Sequence, residues 1–336
     1  MSIPPIFYFD LNVFNKIEKI DTLEGAEKEF YQKLEQMAVK GDILVPYSNA
    51  HMRDLVRGYQ KSKEYIDGHL ATIGRITQNL CVTQYWNESK VRWHQRDVKD
   101  FFQDTLEDAP INSFYNLYKG IDDDNPLMQM AIRAHQSRCE LMKLQPINPI
   151  FKQIYKEDPI FGHIYPLTRE NMNLFSLNED LLNFSQNVKT DFVLYKNFRK
   201  YLGTLRQKFP QLVKEYGVTD IFQKISTLNP AHLTWEGIWD DLSSKYKPSS
   251  NPDMDRMFDL FVKTDFNGYK QDERFANLVD DALHTCYGAH CNVFVTNDNR
   301  CFEKAKVVYK KFAPHVHLIK PGDILALMKT NNSVKE

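Results

Sequence analysis

Val293-Phe294-Val295 is a short apolar run that stops abruptly at Thr296, Asn297, Asp298 and Asn299. Short, β-branched and bounded by polar residues, it reads as an interior strand of a parallel sheet. Sheets of that kind place their chemistry just past the carboxyl ends of the strands. The run therefore limits both the architecture and the position of any site.

A matching pattern lies far upstream. Ile6-Phe7-Tyr8-Phe9 reads as a first strand ending at Asp10, and the residues from Leu11 to about Ala38 have helical spacing. Gly41-Asp42 marks a turn, Ile43 to Pro46 a second strand, and Ser48 the N-cap of a helix through Leu55. Near the other end, residues 272–287 read as a helix, 292–296 as a strand and 299–312 as a helix. Residues 316–319 form a last strand, followed by a closing helix after Asp323. Strand and helix alternating in this way predict one α/β domain with a parallel sheet. Residues 85–254 break the pattern. There, aromatic and charged residues recur at helical spacing between prolines, which predicts a mostly α-helical insertion with Lys245 to Asp253 as its exit linker.

The chain has 336 residues, 42% hydrophobic and 26% charged, enough for one large or two ordinary globular domains. A net charge of −1 excludes a global basic field, so electrostatic recognition must come from local patches. No apolar run approaches the length of a membrane span, and MSIPPIFYFD lacks the pattern of a signal peptide. Five scattered cysteines suit a reducing, cytoplasmic location better than a disulfide framework.

Asp10 and Asp298 follow strands, Asp54 lies one helix beyond the second strand, and Asp281 lies in the helix before the VFV run. Each has an ordinary explanation. Asp10 and Asp298 are suited to capping the next helix, Asp54 to pairing with Arg57 at i+3, and Asp280-Asp281 to a solvated face. Together they are expected on one edge of one sheet, where crowded carboxylates repel unless a cation gathers them. Hard cations such as Mg²⁺ or Mn²⁺ favour oxygen ligands. One ion, or two about 4 Å apart, can activate water for an in-line phosphoryl displacement.

The segments IFYFDLNVFNKI, ILVPYSNAHMRDL, LVDDALHTCYGAHCNVFVTNDNRCFEKA and HLIKPGDILALM together resemble the PIN-like nuclease domain. That resemblance covers about residues 1–84 and 255–330, leaving 85–254 as an insertion and 331–336 as a tail. It implies a three-layer α/β/α fold around a central parallel sheet. It also implies Asp10, Asp54, Asp281 and Asp298 as the catalytic, metal-binding set, and a metal-dependent endonuclease acting on RNA. A structure-selective DNA nuclease, or a non-catalytic binding or scaffold module, is the alternative.

His51 lies three residues before Asp54 and His284 three after Asp281, so each is a candidate support for its carboxylate, or simply a structural imidazole. Thr296, Asn297 and Asp280 are candidate supporting or substrate residues by position. His284, Cys286, His290 and Cys291 fan around a helix, a poor arrangement for zinc. Lys196, Arg199, Lys200 and Arg206, interleaved with Tyr195, Phe198 and Tyr201, form either a nucleic-acid-binding stripe or a solvated amphipathic helix. KVRWHQRDVK (residues 90–99) is a weaker candidate. The insertion is expected to serve substrate selection, homodimer contacts or a regulatory protein partner.

Overall fold

The computed structural model describes residues 4–60, 62–64, 66–85, 88–107, 113–118, 125–147, 172–215, 237 and 250–323. The chain divides into two units, one comprising Met1–Asp108, Leu242–Asp272 and Asn277–Glu336, the other Ala109–Asp241 and Glu273–Ala276.

The first unit is built on the two expected ends of the chain. Strand β1 (Phe7–Phe9) is followed by α1 (Leu11–Glu18), α2 (Gly25–Lys40), α3 (Asn49–Tyr59) and α4 (Ile66–Thr77). Next come β2 (Leu80–Thr83), β3 (Arg92–Gln95) and α5 (Val98–Glu107). After the second unit the chain returns with α9 (Pro252–Phe266), α10 (Phe275–Gly288), β4 (Val293–Val295), α11 (Asn299–Phe312) and β5 (His317–Ile319). Strand β4 lies between β1 and β5 and is parallel to both, with Phe7 opposite Val293 and Val293 opposite His317.

The period of two along these strands sorts the core into two layers. Phe9, Val293 and Val295 face one cluster, with residues of α1, α2, α3, α4 and α5. Tyr8 and Phe294 face the other, with residues of α9, α10 and α11. The VFV run is thus buried on both sides, as its uniform apolarity requires. Gly288 ends α10 against this second layer: a Cβ there would lie 2.5 Å from the Tyr309 hydroxyl and 3.0 Å from Phe294 Cγ.

Three sequence expectations change. The helix expected from Leu11 to Ala38 is two helices, because the chain turns through a 3-10 segment at Ile20–Thr22, where the Thr22 hydroxyl bonds the Lys19 carbonyl. Residues 43–46 form no regular strand. Instead, Leu44 bridges to Ile6 and Tyr47 to Cys81, both in parallel sense, so this segment stitches the β1-β4-β5 sheet to the β2-β3 ribbon. The insertion also begins later than residue 85. Strand β3 pairs antiparallel with β2, and Val98, Phe101 and Phe102 of α5 enter the first core layer. The weaker basic candidate, residues 90–99, is largely this strand, with Arg92 paired to Glu88 and Arg96 to Asp104.

The second unit contains α6 (Pro126–Lys143), α7 (Leu174–Thr190) and α8 (Phe192–Glu215). Asn125 caps α6, whose first residue is proline, and Asn173 and Ser176 form a reciprocal cap on α7. Of the expected linker, Asn251 caps α9 by accepting from Met254 N–H, while residues 245–249 lie outside the described residues. So do residues 324–336, where a closing helix is expected.

Candidate functional site

Each predicted carboxylate is held by the element that precedes or carries it. Asp10 leaves β1 through a backbone bond from its N–H to the Val295 carbonyl, and its buried carboxylate caps α1 by accepting from Val13 N–H at 3.1 Å. Asp298 caps α11, accepting from Arg300 N–H at 2.6 Å and Cys301 N–H at 2.9 Å. Asp54 projects from α3, and Asp280 and Asp281 from α10. The capping explanation of Asp10 and Asp298 is therefore correct as far as it goes. It does not preclude a shared site, because a carboxylate has lone pairs beyond those a cap uses.

Those five aspartates line a single cavity of about 350 Å³ together with Leu11, Asn12, Arg57, Gly58, Asn277 and His284. Parallel pairing explains the convergence: β1 and β4 are adjacent and in register, so Asp10 and Asp298 emerge at the same sheet edge. The charges are unevenly compensated. Burial pushes the Asp281 carboxyl well above the usual carboxylate range, helped by the charges of Asp272, Asp298 and Asp10, with Lys304 opposing. Burial likewise raises Asp10, against the Thr296 hydrogen bond and the His284 charge. Asp280 is pushed up to about 7 by burial and then by Asp54. Burial works the same way on Asp54, but hydrogen bonding from His284, its charge and Arg57 hold that carboxyl below its ordinary value. Of that pair, Asp54 is the ionised member. Arg57 bridges both, pairing with Asp54 and with Asp280.

Behind the cavity runs a buried chain of polar groups. His284 Nε2 lies 3.1 Å from Asp54 Oδ2, and His284 Nδ1 lies 2.9 Å from the Tyr8 hydroxyl, itself 2.7 Å from Ser48 Oγ. One imidazole therefore joins the Asp54 carboxylate, on its Nε2 side, to the Tyr8 and Ser48 hydroxyls, on its Nδ1 side. His284 is thus the imidazole that orients a cavity carboxylate.

Of the two parts considered for it, His51 takes that of a structural imidazole. Its Nε2 donates to the Phe9 carbonyl at 2.8 Å and its Nδ1 accepts from Ser48 N–H at 3.0 Å, completing the capping box of α3. Fully buried and away from the cavity lining, it is kept neutral, with burial and the nearby His284 pushing its pKa down to about 3. Thr296 is also a positioning residue: its buried hydroxyl donates to Asp10 and accepts from Asp298 N–H at 3.1 Å, linking the ends of β1 and β4. Asn297 is exposed and lines a neighbouring cleft with Lys16 and Lys19.

Sequence reasoning missed Lys304. It is wholly buried and bonded to Asp265 at 2.9 Å and to Asp272, with Phe261 beneath its ammonium. Burial works against the charged amine, but Asp272 and Asp265 outweigh it and hold the pKa up. The available signal was its position on the apolar stripe of α11, three residues after Cys301 and four before Val308.

Cys286 and Cys291 are packed in the second core layer, their thiols against the Met254 and Tyr287 carbonyls. In the second unit, Lys196 and Lys200 are exposed on α8, and Arg199 and Arg206 are half-buried. The interleaved aromatics turn inward: Tyr195 and Phe209 are buried, and Phe198 packs edge-on against Phe184 at 5.4 Å. This stripe offers charge without those rings as a stacking platform.

Among the described residues, no three histidine, cysteine or acidic side chains stand ready to enclose a metal ion as they are now turned. Asp54 is engaged by His284 and Arg57, and Asp10 by Thr296. No helix among those residues is long and apolar enough to cross a membrane. Compared with protein-family models, with curated proteins and with solved structures, the chain has no match.

Proposed function

We propose that this chain is a metal-dependent endonuclease of the PIN-like type, hydrolysing phosphodiester bonds in RNA. One observation carries the reading: carboxylates from four separated segments, Asp10, Asp54, Asp280 with Asp281, and Asp298, line one cavity at the end of β1 and β4. The donors are all oxygen, the chemistry that suits Mg²⁺ or Mn²⁺, and Asp281, raised by burial and then by the charges of Asp272, Asp298 and Asp10, is a carboxylate that a cation would stabilise. Asp10, Asp54, Asp281 and Asp298 would hold the ion. A bound divalent ion supplies activation of water and stabilisation of charge on the phosphoryl oxygens.

The protein's own groups do the rest. Thr296 fixes Asp10 relative to Asp298, and His284 fixes Asp54. Arg57, at the cavity wall, is placed to exchange its carboxylate partners for a phosphate oxygen.

Cleavage of labelled RNA with Mg²⁺ or Mn²⁺ tests the proposal. Asp281→Asn and Asp298→Asn should each lower the rate at least about a hundredfold, several kcal/mol of lost charge stabilisation, while leaving the fold intact. Full activity in either, with unchanged melting, would reject the assignment. Branched DNA assayed in parallel separates a structure-selective DNA nuclease, which would use the same residues. A non-catalytic scaffold is the second reading, favoured by the caps that Asp10 and Asp298 form. Calorimetric titration with Mn²⁺ decides it, since a scaffold would take up none at millimolar metal.

A further inference from the structure

A second cleft, of about 420 Å³, is lined by Asn12, Asn15, Lys16, Lys19, Thr22, Leu23, Asn297 and Asp298. It shares Asn12 and Asp298 with the acidic cavity, so the two form one trough. Asn12, Asn15, Lys16 and Lys19 stand at i, i+3, i+4 and i+7 of α1 and its C-cap, on the side opposite the buried Val13, Phe14 and Ile17. They span about 10 Å along the helix at 1.5 Å per residue.

We infer that this cleft is a binding groove for the sugar–phosphate backbone of a single-stranded nucleic acid, held by Lys16 and Lys19 beside the acidic cavity. The inference rests on the nuclease reading above and specifies how its substrate is held. A polyanion approaching five aspartates is repelled unless cations lie along its path, and these two lysines are the cations in the adjoining half of the trough. Lys19 has no carboxylate partner among the described residues. Lys16 meets Glu27 at 2.9 Å, but both side chains are well exposed (39% and 50%), so that pair is weak and can be exchanged for a phosphate. Asn12, Asn15 and Asn297 add neutral amide donors of the kind that bind phosphate oxygens. Among the described residues no aromatic side chain lines the cleft, so the groove reads backbone rather than bases and is tolerant of sequence.

The competing explanation is an ordinary solvated helix face, and the salt dependence of binding distinguishes the two. Anisotropy of a fluorescein-labelled U12 oligonucleotide, titrated with the full chain in EDTA, measures binding without cleavage. Lys16→Gln/Lys19→Gln should weaken binding at least fivefold at 50 mM salt. It should also reduce the slope of log K against log salt by about 1.4, two contacts at about 0.7 each for a single strand. Lys16→Arg/Lys19→Arg should keep the slope. Lys306→Gln/Lys310→Gln removes the same charge from the exposed face of α11 and should change neither quantity. Equal losses in the two glutamine doubles, or an unchanged slope in the first, overturn the inference. A U12 slope that depends on Lys16 and Lys19 in a chain that never cleaves would reject the nuclease and keep the groove. Cleavage that needs the aspartates, with binding indifferent to the lysines, would do the reverse.

Discussion

His51 and His284 sit 4.7 Å apart, ring centre to ring centre, yet their environments give them opposite roles. His51 has both nitrogens committed to backbone and none to the cavity. Its folded pKa of about 3 lies below the ordinary histidine value, so unfolded chains bind the extra proton first as acid is added. The stability owed to neutral His51 is complete above about pH 6.5 and is lost as pH falls toward 3. Against a His51→Gln variant, urea unfolding of the parent should show an advantage that shrinks by roughly 3 kcal/mol between pH 6.5 and 4. His284 touches Asp54 instead. His284→Asn should lower cleavage or Mn²⁺ affinity by about 10–100-fold, the usual cost of losing a hydrogen bond that orients a ligand, as calorimetry alongside the rate assay would show. From the sequence, both histidines had the same standing, three residues from an aspartate. What separates them is the Phe9 carbonyl and the Tyr8 hydroxyl, partners contributed by another strand and invisible to local spacing.

Among elements, β4 was the most legible, because an uninterrupted apolar triplet between polar residues has few other places to go. The segment at 43–46 was less so. Ile43 and Val45 are buried, but the segment makes only single bridges on each side, and propensity does not distinguish a strand from a stitch. Helix α11 carries the least legible feature, a lysine on its buried stripe. Lys304→Met would leave Asp265 and Asp272 buried without their cation and should cost about 3–5 kcal/mol in urea unfolding. Gly288→Ala belongs to the same layer. The methyl would press on Tyr309 and the Phe294 ring, and about 1–3 kcal/mol of destabilisation is expected from overpacking, with little change in cleavage because neither ring lines the cavity.

For the molecule as a whole, the sequence reads an α/β part at residues 1–84 and 255–330 with a helical insertion between, while the chain divides into units of which the first runs on to Asp108 and resumes at Leu242. Residues 92–95 are exposed except for half-buried His94, so this strand, paired with β2 alone, carries no alternating apolar pattern to mark it. The first unit has both its core layers within its own residues. Replacing residues 112–248 by a flexible glycine-serine tether should leave a cooperatively melting domain, because lengthening or shortening a surface loop changes closure entropy only slowly. Differential scanning calorimetry would check this, a missing transition counting against it.

Strand β1 cannot complete its pairing until residue 293 has been made, since its partner β4 lies that far downstream. At about 5–20 residues per second, a ribosome spends on the order of 15–60 s between the two. Throughout that interval Asp10 has no partner strand β4 beside it, Asp281 is made only near its end, and Asp298 follows after it. If the chain is the nuclease proposed above, its acidic centre stays incomplete on the ribosome until Asp298 has been added, just before α11.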